Sequence, residues 1–145
     1  MAESTTPGVE EAVRRLLEAL NRRDFDTASS VWASDAVWEL APLSLGVIEG
    51  SPLIGREAIR KLYEDMAGAF EDLETENEEF DDLGGGVTFG VVVLRGRPRG
   101  SGGLVESPRT GIVATWSDGR IARATNYTDL DEARAAAERL AQERG

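Results

Sequence analysis

The chain has 145 residues, of which 41% are hydrophobic and 30% charged, and this is the composition of one soluble globular domain. Its 16 Lys and Arg against 27 Asp and Glu give a formal net charge of -11, which disfavours binding to nucleic acid or to anionic membrane surfaces. The chain contains no Cys and no His, so disulfides, thiolate chemistry and the commonest metal ligands are excluded, and we predict no cofactor and no metal site.

The N-terminal residues lack the basic start and apolar core of a signal peptide, and no apolar run approaches membrane-spanning length. We therefore expect a cytoplasmic protein, with a disordered tail at residues 1–8 and one domain at residues 9–145. The first helix of that domain is predicted from a stripe of apolar residues: Val9, Ala12, Val13, Leu16, Leu17 and Leu20.

The middle of the chain predicts a short helix from Asp24 that carries Trp32 inward, and then a strand over Asp35–Leu40. Residues 41–51 contain Gly and Pro and are predicted to be a loop with some extended chain. A longer helix is predicted from Arg56, because apolar residues recur at helical spacing: Ile59, Leu62, Tyr63, Met66 and Phe70. The acidic residues 71–82 are predicted to form either an exposed strand or a solvated acidic segment.

The last part of the chain predicts three strands, at residues 87–95, 103–116 and 119–128. The sequence Ser117-Asp118-Gly119 is typical of a hairpin turn between the last two. Asp129 followed by Glu132 resembles a capping box at the start of a terminal helix. The order of elements predicts an α+β fold in which one curved antiparallel sheet has its helices packed on one side.

Three stretches of the sequence together resemble a known family. They are residues 17–40, GREAIRKLY from Gly55, and the region from the Arg/Gly loop RGRPRG through the final helix. Their order and spacing resemble the SnoaL-like branch of the nuclear transport factor 2 superfamily, in members of actinobacterial type. The resemblance implies a cone-shaped α+β barrel around an apolar cavity, often in a homodimer. Relatives include ketosteroid isomerases, polyketide cyclases and limonene epoxide hydrolases.

The catalytic residues of these relatives are not reproduced here. The tyrosine and the general base of the isomerases fall on Leu16 and Leu40, and their second Asp falls near Gly111 or Ile112. The last acid of the epoxide hydrolases falls on Asn126. For a cyclase the nearest carboxylate is Asp129, whose simpler interpretation is a helix N-cap.

We therefore predict a protein that binds a small hydrophobic molecule without a recognised catalytic set. Strand alternation and the resemblance assign these residues to the pocket: Leu16, Trp32, Trp38, Leu40, Tyr63, Trp116, Asn126 and Thr128. The alternative is an isomerase or cyclase in which Asp129 or Glu106 is the general base. The substitution Tyr63→Phe is expected to change stability by no more than about 1 kcal/mol.

Two surfaces complete the prediction. Ile121, Thr125 and Tyr127 are placed on the opposite face of the last strand, where they are expected to form a homodimer interface. The sequence RGRPRG resembles a minor-groove DNA-binding hook, but in so acidic a chain we interpret it as a solvated hairpin tip. Replacing Arg95, Arg97 and Arg99 with Ser is therefore expected to have little effect on stability.

Overall fold

A computed structural model of the chain describes residues 8–40, 52–100 and 102–144. These residues form helices α1 (Val9–Asn21), α2 (Phe25–Ser30), α3 (Arg56–Ala69) and α4 (Leu130–Arg144). The strands are β1 (Trp32–Glu39), β2 (Leu53–Ile54), β3 (Glu74–Gly84), β4 (Val87–Gly96), β5 (Val105–Glu106), β6 (Thr110–Ser117) and β7 (Arg120–Tyr127). The predicted tail up to residue 7 and the predicted loop at residues 41–51 lie outside the described residues. No helix in the described part is long and apolar enough to cross a membrane.

The strands form one curved sheet in the order β2-β1-β7-β6-β4-β3, and β5 also pairs with β4. The predicted α+β class is confirmed. The strands from β3 to β7 pair antiparallel, whereas β1 and β7 run parallel, so the sheet is not antiparallel throughout. The helix α3 and the later strands lie between β1 and β7 in sequence, and this long connection allows the first strand to pair with the last one in the same direction.

The two faces of the sheet carry two separate hydrophobic cores. On β6, Ala114 and Trp116 pack with helices α1, α2 and α3, whereas Val113 packs with Phe89 and with Ala133 of α4. We call the first side the inner face and the second the outer face. The prediction that all helices lie on one side of the sheet is therefore wrong. The reason is that β4 and β6 are apolar on both faces, so both faces need a cover.

The helix α4 packs unusually closely on β6. A Cβ atom placed on Gly111 would lie 2.7 Å from the Cβ atom of Ala133, which is closer than side chains tolerate. The N-terminus of α4 is fixed by Asp129, whose Oδ1 atom accepts a hydrogen bond from the Glu132 backbone N–H at 3.0 Å. The predicted capping role of Asp129 is thus confirmed. The start of α2 is capped in the same way, since Asp24 Oδ1 accepts from the Thr27 backbone N–H at 3.2 Å.

A bulge in β7 changes the side on which Ile121 lies. The register with β6 shifts after Thr115, so that Trp116 pairs with Ile121 and Thr115 with Arg123. Ile121 is therefore buried in the inner core, with 4% of its surface exposed, and Tyr127 packs under α4 on the outer face. The assignment of Ile121 to an outward dimer face was wrong, because strict alternation fails where a strand gains one residue.

The acidic segment is the edge strand β3, which pairs with β4 along one side. Its carboxylates contact arginines that come from several other elements. Arg95 pairs with Glu76, Arg109 with Glu78, and Arg134 of α4 with Glu79. A row of charges along an exposed edge discourages pairing with the strand of another molecule.

Candidate ligand-binding site

Three aromatic side chains meet on the inner face. Trp32 and Trp38 come from β1, and Tyr63 comes from the middle of α3. The ring centroids of Trp32 and Trp38 lie 5.0 Å apart, and those of Trp38 and Tyr63 lie 5.8 Å apart, with the rings tilted in both pairs. Only 3%, 8% and 7% of their respective surfaces are exposed. Tilted contacts at these distances are favourable for aromatic rings, and we call the three residues the aromatic cluster.

Both tryptophans of the aromatic cluster donate hydrogen bonds to polar side chains. Trp32 Nε1 donates to Tyr63 Oη at 2.9 Å, and Trp38 Nε1 donates to Asn126 Oδ1 at 2.8 Å. An indole N–H can donate a hydrogen bond but cannot accept one, so it must face the oxygen of the Asn126 amide and not its nitrogen. This fixes the orientation of the Asn126 amide, whose NH2 group must point away from Trp38.

The Tyr63 hydroxyl stays protonated on the inner face. Burial raises the pKa of Tyr63 well above its ordinary value of 10.0, and the hydrogen bond from Trp32 lowers it by less. A charged phenolate would lose its hydration there, so the neutral form is favoured. Tyr63 is therefore suited to donate a hydrogen bond and not to remove a proton from a substrate.

Trp32 is also fixed through its backbone. Its carbonyl oxygen accepts two hydrogen bonds from Arg56, at 2.9 Å from Nε and 2.7 Å from Nη2. Arg56 is the first residue of α3 and is half-buried. It thereby ties the start of β1 to the helix that carries Tyr63. Sequence reasoning missed this role, because no spacing in the sequence relates Arg56 to a backbone oxygen of another element.

The indole N–H of the third tryptophan, Trp116, also has a hydrogen-bond partner, and the sequence prediction missed this residue too. Trp116 Nε1 donates to Thr88 Oγ1 at 2.9 Å, and both residues are buried. Thr88 lies on β4 opposite Ala114, on the inner face. The signal available in the sequence was the single hydroxyl in the otherwise apolar run VTFGVVV, because a polar side chain buried there needs a partner.

The structure brings most of the predicted pocket residues together. Six of the eight lie in one buried cluster: Leu16, Trp32, Trp38, Leu40, Tyr63 and Trp116. Asn126 joins them through its hydrogen bond to Trp38. Thr128 does not, because it follows the last residue of β7 and is exposed. A ligand role for these residues stays a prediction.

Neither predicted general base reaches the inner face. Asp129 is exposed and caps α4, and Glu106 is exposed on β5, where Arg95 pairs with it. Both assignments are therefore wrong for a base that acts at the aromatic cluster. Apart from Trp and Tyr residues, the buried polar side chains among the described residues are Ser29 and Thr88, so no described carboxylate lies in the inner core.

An open groove of about 580 Å³ lies elsewhere, between the end of α1, residues 71–74 and the Arg/Gly loop. Its lining includes Arg23, Arg95 and Arg97 together with Glu71, Asp72 and Glu74. Arg95 and Arg97 pair with carboxylates and Arg99 donates to the Gly68 carbonyl oxygen, so the loop is docked rather than a solvated tip. This groove is charged and differs from the apolar site predicted from the sequence.

Comparison with known proteins identifies the sequence family and the fold. The model of the SnoaL-like domain family matches residues 13–124. No curated protein matches the chain at a significant level.

Solved structures with a similar fold share little sequence identity with this chain. One is a hypothetical protein with a ketosteroid isomerase-like fold from Catenulispora acidiphila, in complex with trimethylamine (16% identity, 92% of this chain and 94% of that chain covered, TM-score 0.69). Another is a Mycobacterium tuberculosis protein in complex with estradiol-17β-hemisuccinate (21% identity, 85% and 95% covered, TM-score 0.70). A third is an NTF2-like protein of unknown function from Burkholderia pseudomallei (17% identity, 89% and 96% covered, TM-score 0.69). At these identities the similarity shows the fold alone.

Proposed function

Because the chain belongs to the family of SnoaL-like domains, we propose that it binds a small hydrophobic molecule on the inner face of its sheet, at the aromatic cluster and Asn126. One observation carries this proposal: the indole N–H groups of Trp32 and Trp38 donate to the buried Tyr63 and the half-buried Asn126, and within the described residues neither the Tyr63 hydroxyl nor the Asn126 amide nitrogen donates to another protein group. Apolar walls with a few polar groups are the usual constitution of a small-molecule site.

The lining residues of the sheet support the same proposal. Ala114 on β6 pairs with Ala124 on β7, which in turn pairs with Trp38 on β1, so small side chains lie beside the aromatic cluster on the inner face. Two proteins of similar fold were solved with small molecules, namely trimethylamine and a steroid hemisuccinate. Catalysis by Asp129 or Glu106 is not part of the proposal, because both carboxylates are exposed and bonded elsewhere.

Binding can be tested by titrating the protein with tetralin, an apolar probe, and following the fluorescence of the tryptophans. We expect saturable quenching, because Trp32 and Trp38 form the proposed site. The variant Ala124→Leu would fill the inner face, and we expect it to weaken tetralin binding at least tenfold.

The matched control is Ala135→Leu, which adds the same atoms at an exposed position of α4 and should bind tetralin like the parent protein. Circular dichroism would check that both variants are folded. Unchanged tetralin binding in Ala124→Leu would show that the inner face is not the site.

Assembly as a homodimer and a cytoplasmic location stay predictions. The proposed site is built from one chain and does not need a second copy. Sedimentation equilibrium at high micromolar concentration would test the dimer, and a monomer there would contradict it.

A further inference from the structure

The helix α1 ends in a turn that usually contains glycine and here contains Arg23. The Asp24 backbone N–H donates to the Ala19 carbonyl oxygen at 2.8 Å, and the Arg23 backbone N–H donates to that of Leu20 at 3.1 Å. Helix ends with this pair of bonds place the residue at position 23 in the left-handed region, and the φ angle of Arg23 is indeed 65°. A residue with a side chain is strained there, whereas glycine is not. An arginine at this position therefore points to a role for its side chain.

The Arg23 side chain is half-buried and lines the open groove between the end of α1, residues 71–74 and the Arg/Gly loop. Its Nη1 atom donates to the carbonyl oxygens of Leu73 at 3.0 Å and Leu20 at 3.4 Å, which fixes the guanidinium. Within the described ranges, Nε and Nη2 donate to no protein group and no carboxylate pairs with Arg23. The N–H groups on this edge of a guanidinium match the two oxygens of a carboxylate.

Two carboxylates of the same groove also lack a partner. Glu71 and Glu74 line the groove and are exposed, and in the part of the chain that the structure describes neither forms an ion pair or accepts a hydrogen bond through its side chain. Asp72 differs from them, because it is paired with Arg97 at 2.6 Å. The groove therefore offers one unpaired positive group and two unpaired negative groups.

The groove also has apolar surface. Leu104 lines it with 61% of its surface exposed, and the half-buried Leu73 lies beside the unpaired charges. Covering such side chains with another apolar group is favourable. The groove volume of about 580 Å³ is within the range of about 300–1,000 Å³ that is usual for small-molecule sites.

We propose that this groove binds a short apolar peptide with free ends, whose carboxylate pairs with Arg23 and whose ammonium group pairs with Glu71 or Glu74. The side chains of the peptide cover Leu73 and Leu104. A simple anion such as phosphate is the competing ligand, and the carboxylates of the groove disfavour it by repulsion. The groove shares no lining residue with the aromatic cluster, so this inference goes beyond the proposed function and does not rest on it.

Four probes separate the contributions of the two charged ends: trileucine, N-acetyl-trileucine, trileucine amide and inorganic phosphate. Each would be titrated into the full chain by isothermal calorimetry near neutral pH and at low salt. We expect trileucine to bind, and each capped peptide to bind about three- to tenfold more weakly, because it lacks one charge-assisted contact. Added salt should weaken the binding of trileucine, since the groove is open to water.

The variant Arg23→Gly tests the carboxylate-binding group without straining the turn. Glycine suits the left-handed backbone, so we expect the variant to stay folded, as circular dichroism would check. It should bind trileucine and trileucine amide equally and still prefer trileucine to N-acetyl-trileucine. The matched control is Arg22→Gly, which removes the same charge from the adjacent residue, outside the groove, and should keep both preferences.

The double variant Glu71→Gln with Glu74→Gln tests the other end. It should lose the preference for trileucine over N-acetyl-trileucine and keep the preference over trileucine amide. The control is Glu138→Gln with Glu143→Gln, which makes the same change of charge at exposed positions of α4 and should keep both preferences.

Several outcomes would overturn this inference. They are equal binding of the three peptides, tighter binding of phosphate than of trileucine, and no binding of trileucine up to its solubility limit. An unchanged preference in Arg23→Gly, or the same loss in Arg22→Gly, would also overturn it, because net charge and not the groove would then decide. None of these results bears on the binding of tetralin at the inner face, which tests the proposed function separately.

Discussion

The polar side chains on the inner face of this sheet differ in charge and in burial from those around its outer face. On the inner face, neutral polar groups are hydrogen-bonded to one another, as in the buried bond from Trp32 to Tyr63. Around the outer face, charged groups form exposed pairs along β3, as between Arg134 and both Glu79 and Asp81. Arg134 also lies over the ring of Phe89, 4.6 Å from its centroid.

This difference matters because burial decides what a lost contact costs. Removing one partner of a buried hydrogen bond leaves the other partner without water, which costs about 1–3 kcal/mol. Removing one partner of an exposed ion pair costs about 0–1 kcal/mol, because water and salt replace it. Stability should therefore depend strongly on a few neutral groups inside and weakly on many charges outside.

The largest expected effect is that of Trp32→Ala. Trp32 is 3% exposed, contacts Trp38 and donates to Tyr63, so the variant loses apolar packing and leaves a cavity. We expect a loss of about 3–5 kcal/mol in the free energy of unfolding, measured by urea denaturation. A loss below about 1 kcal/mol would show that Trp32 is not packed as described.

The next effect concerns the docking of α4 on the outer face. In Gly111→Ala the new methyl group would meet the Cβ atom of Ala133, which cannot move without the helix, and we expect a loss of about 1–3 kcal/mol. The control is Gly68→Ala, where a Cβ atom meets nothing within 4 Å and the residue lies in a helix. Adding Ala133→Gly to Gly111→Ala should cost less than the sum of the two single changes, and strict additivity would contradict the contact.

Tyr63→Phe should cost more than the sequence alone suggests. The sequence-based expectation was a change of no more than about 1 kcal/mol, the net contribution of one hydrogen bond. In the structure the substitution removes the acceptor of the buried Trp32 N–H, so we expect a loss of about 1–3 kcal/mol in urea denaturation. Tyr127→Phe is the control, and equal effects of the two variants would contradict the buried pair.

The protonation of Tyr63 predicts a loss of stability in alkali. Its pKa is raised in the folded chain, whereas an unfolded tyrosine ionises near its ordinary value of 10.0. Above that pH the unfolded chain binds fewer protons than the folded one, so stability falls as pH rises, by up to about 1.4 kcal/mol per pH unit from this group. Tyr63→Phe should remove this component from the dependence of unfolding on pH between 9 and 12. An identical pH dependence in the variant would show that Tyr63 ionises normally in the fold.

The sequence predicted the regular elements well where their patterns are local. The stripe through Ile59 and Tyr63 predicted α3, and the pair Asp129 and Glu132 predicted the start of α4. It also predicted most of the residues that gather on the inner face. Local patterns have this power because helix and strand periodicity decide which side chains share a face.

Most of the errors concern relations between different parts of the chain. The side of the sheet on which Ile121 lies depends on a bulge in β7, and the sequence of that strand does not predict the bulge. The parallel pairing of β1 with β7 and the packing of α4 on the outer face depend on contacts between elements that are far apart in sequence. The partners of Trp32 and Trp116 likewise come from other elements, so spacing along the sequence does not reveal them.

The smallest expected effect is that of replacing Arg95, Arg97 and Arg99 together with Ser. The structure gives each of them a bond within the chain, to Glu76 and Glu106, to Asp72, and to the Gly68 carbonyl oxygen. The residues are nevertheless on the surface, so we expect their combined loss to be smaller than that of any substitution above, because exposed ion pairs contribute little to stability. The loss in urea denaturation should shrink as salt is raised, because exposed ion pairs are screened.

A comparison with Arg14→Ser, which removes an exposed pair with Glu11 inside one helix, would calibrate the effect of a single exposed bond. Duplex DNA should not bind the parent protein at physiological salt, because these arginines are engaged by carboxylates of a chain whose net charge is -11. A large, salt-independent loss of stability in the triple variant would show that the loop is part of the core. Sub-micromolar DNA binding with a steep dependence on salt would show that its arginines exchange their carboxylates for phosphates.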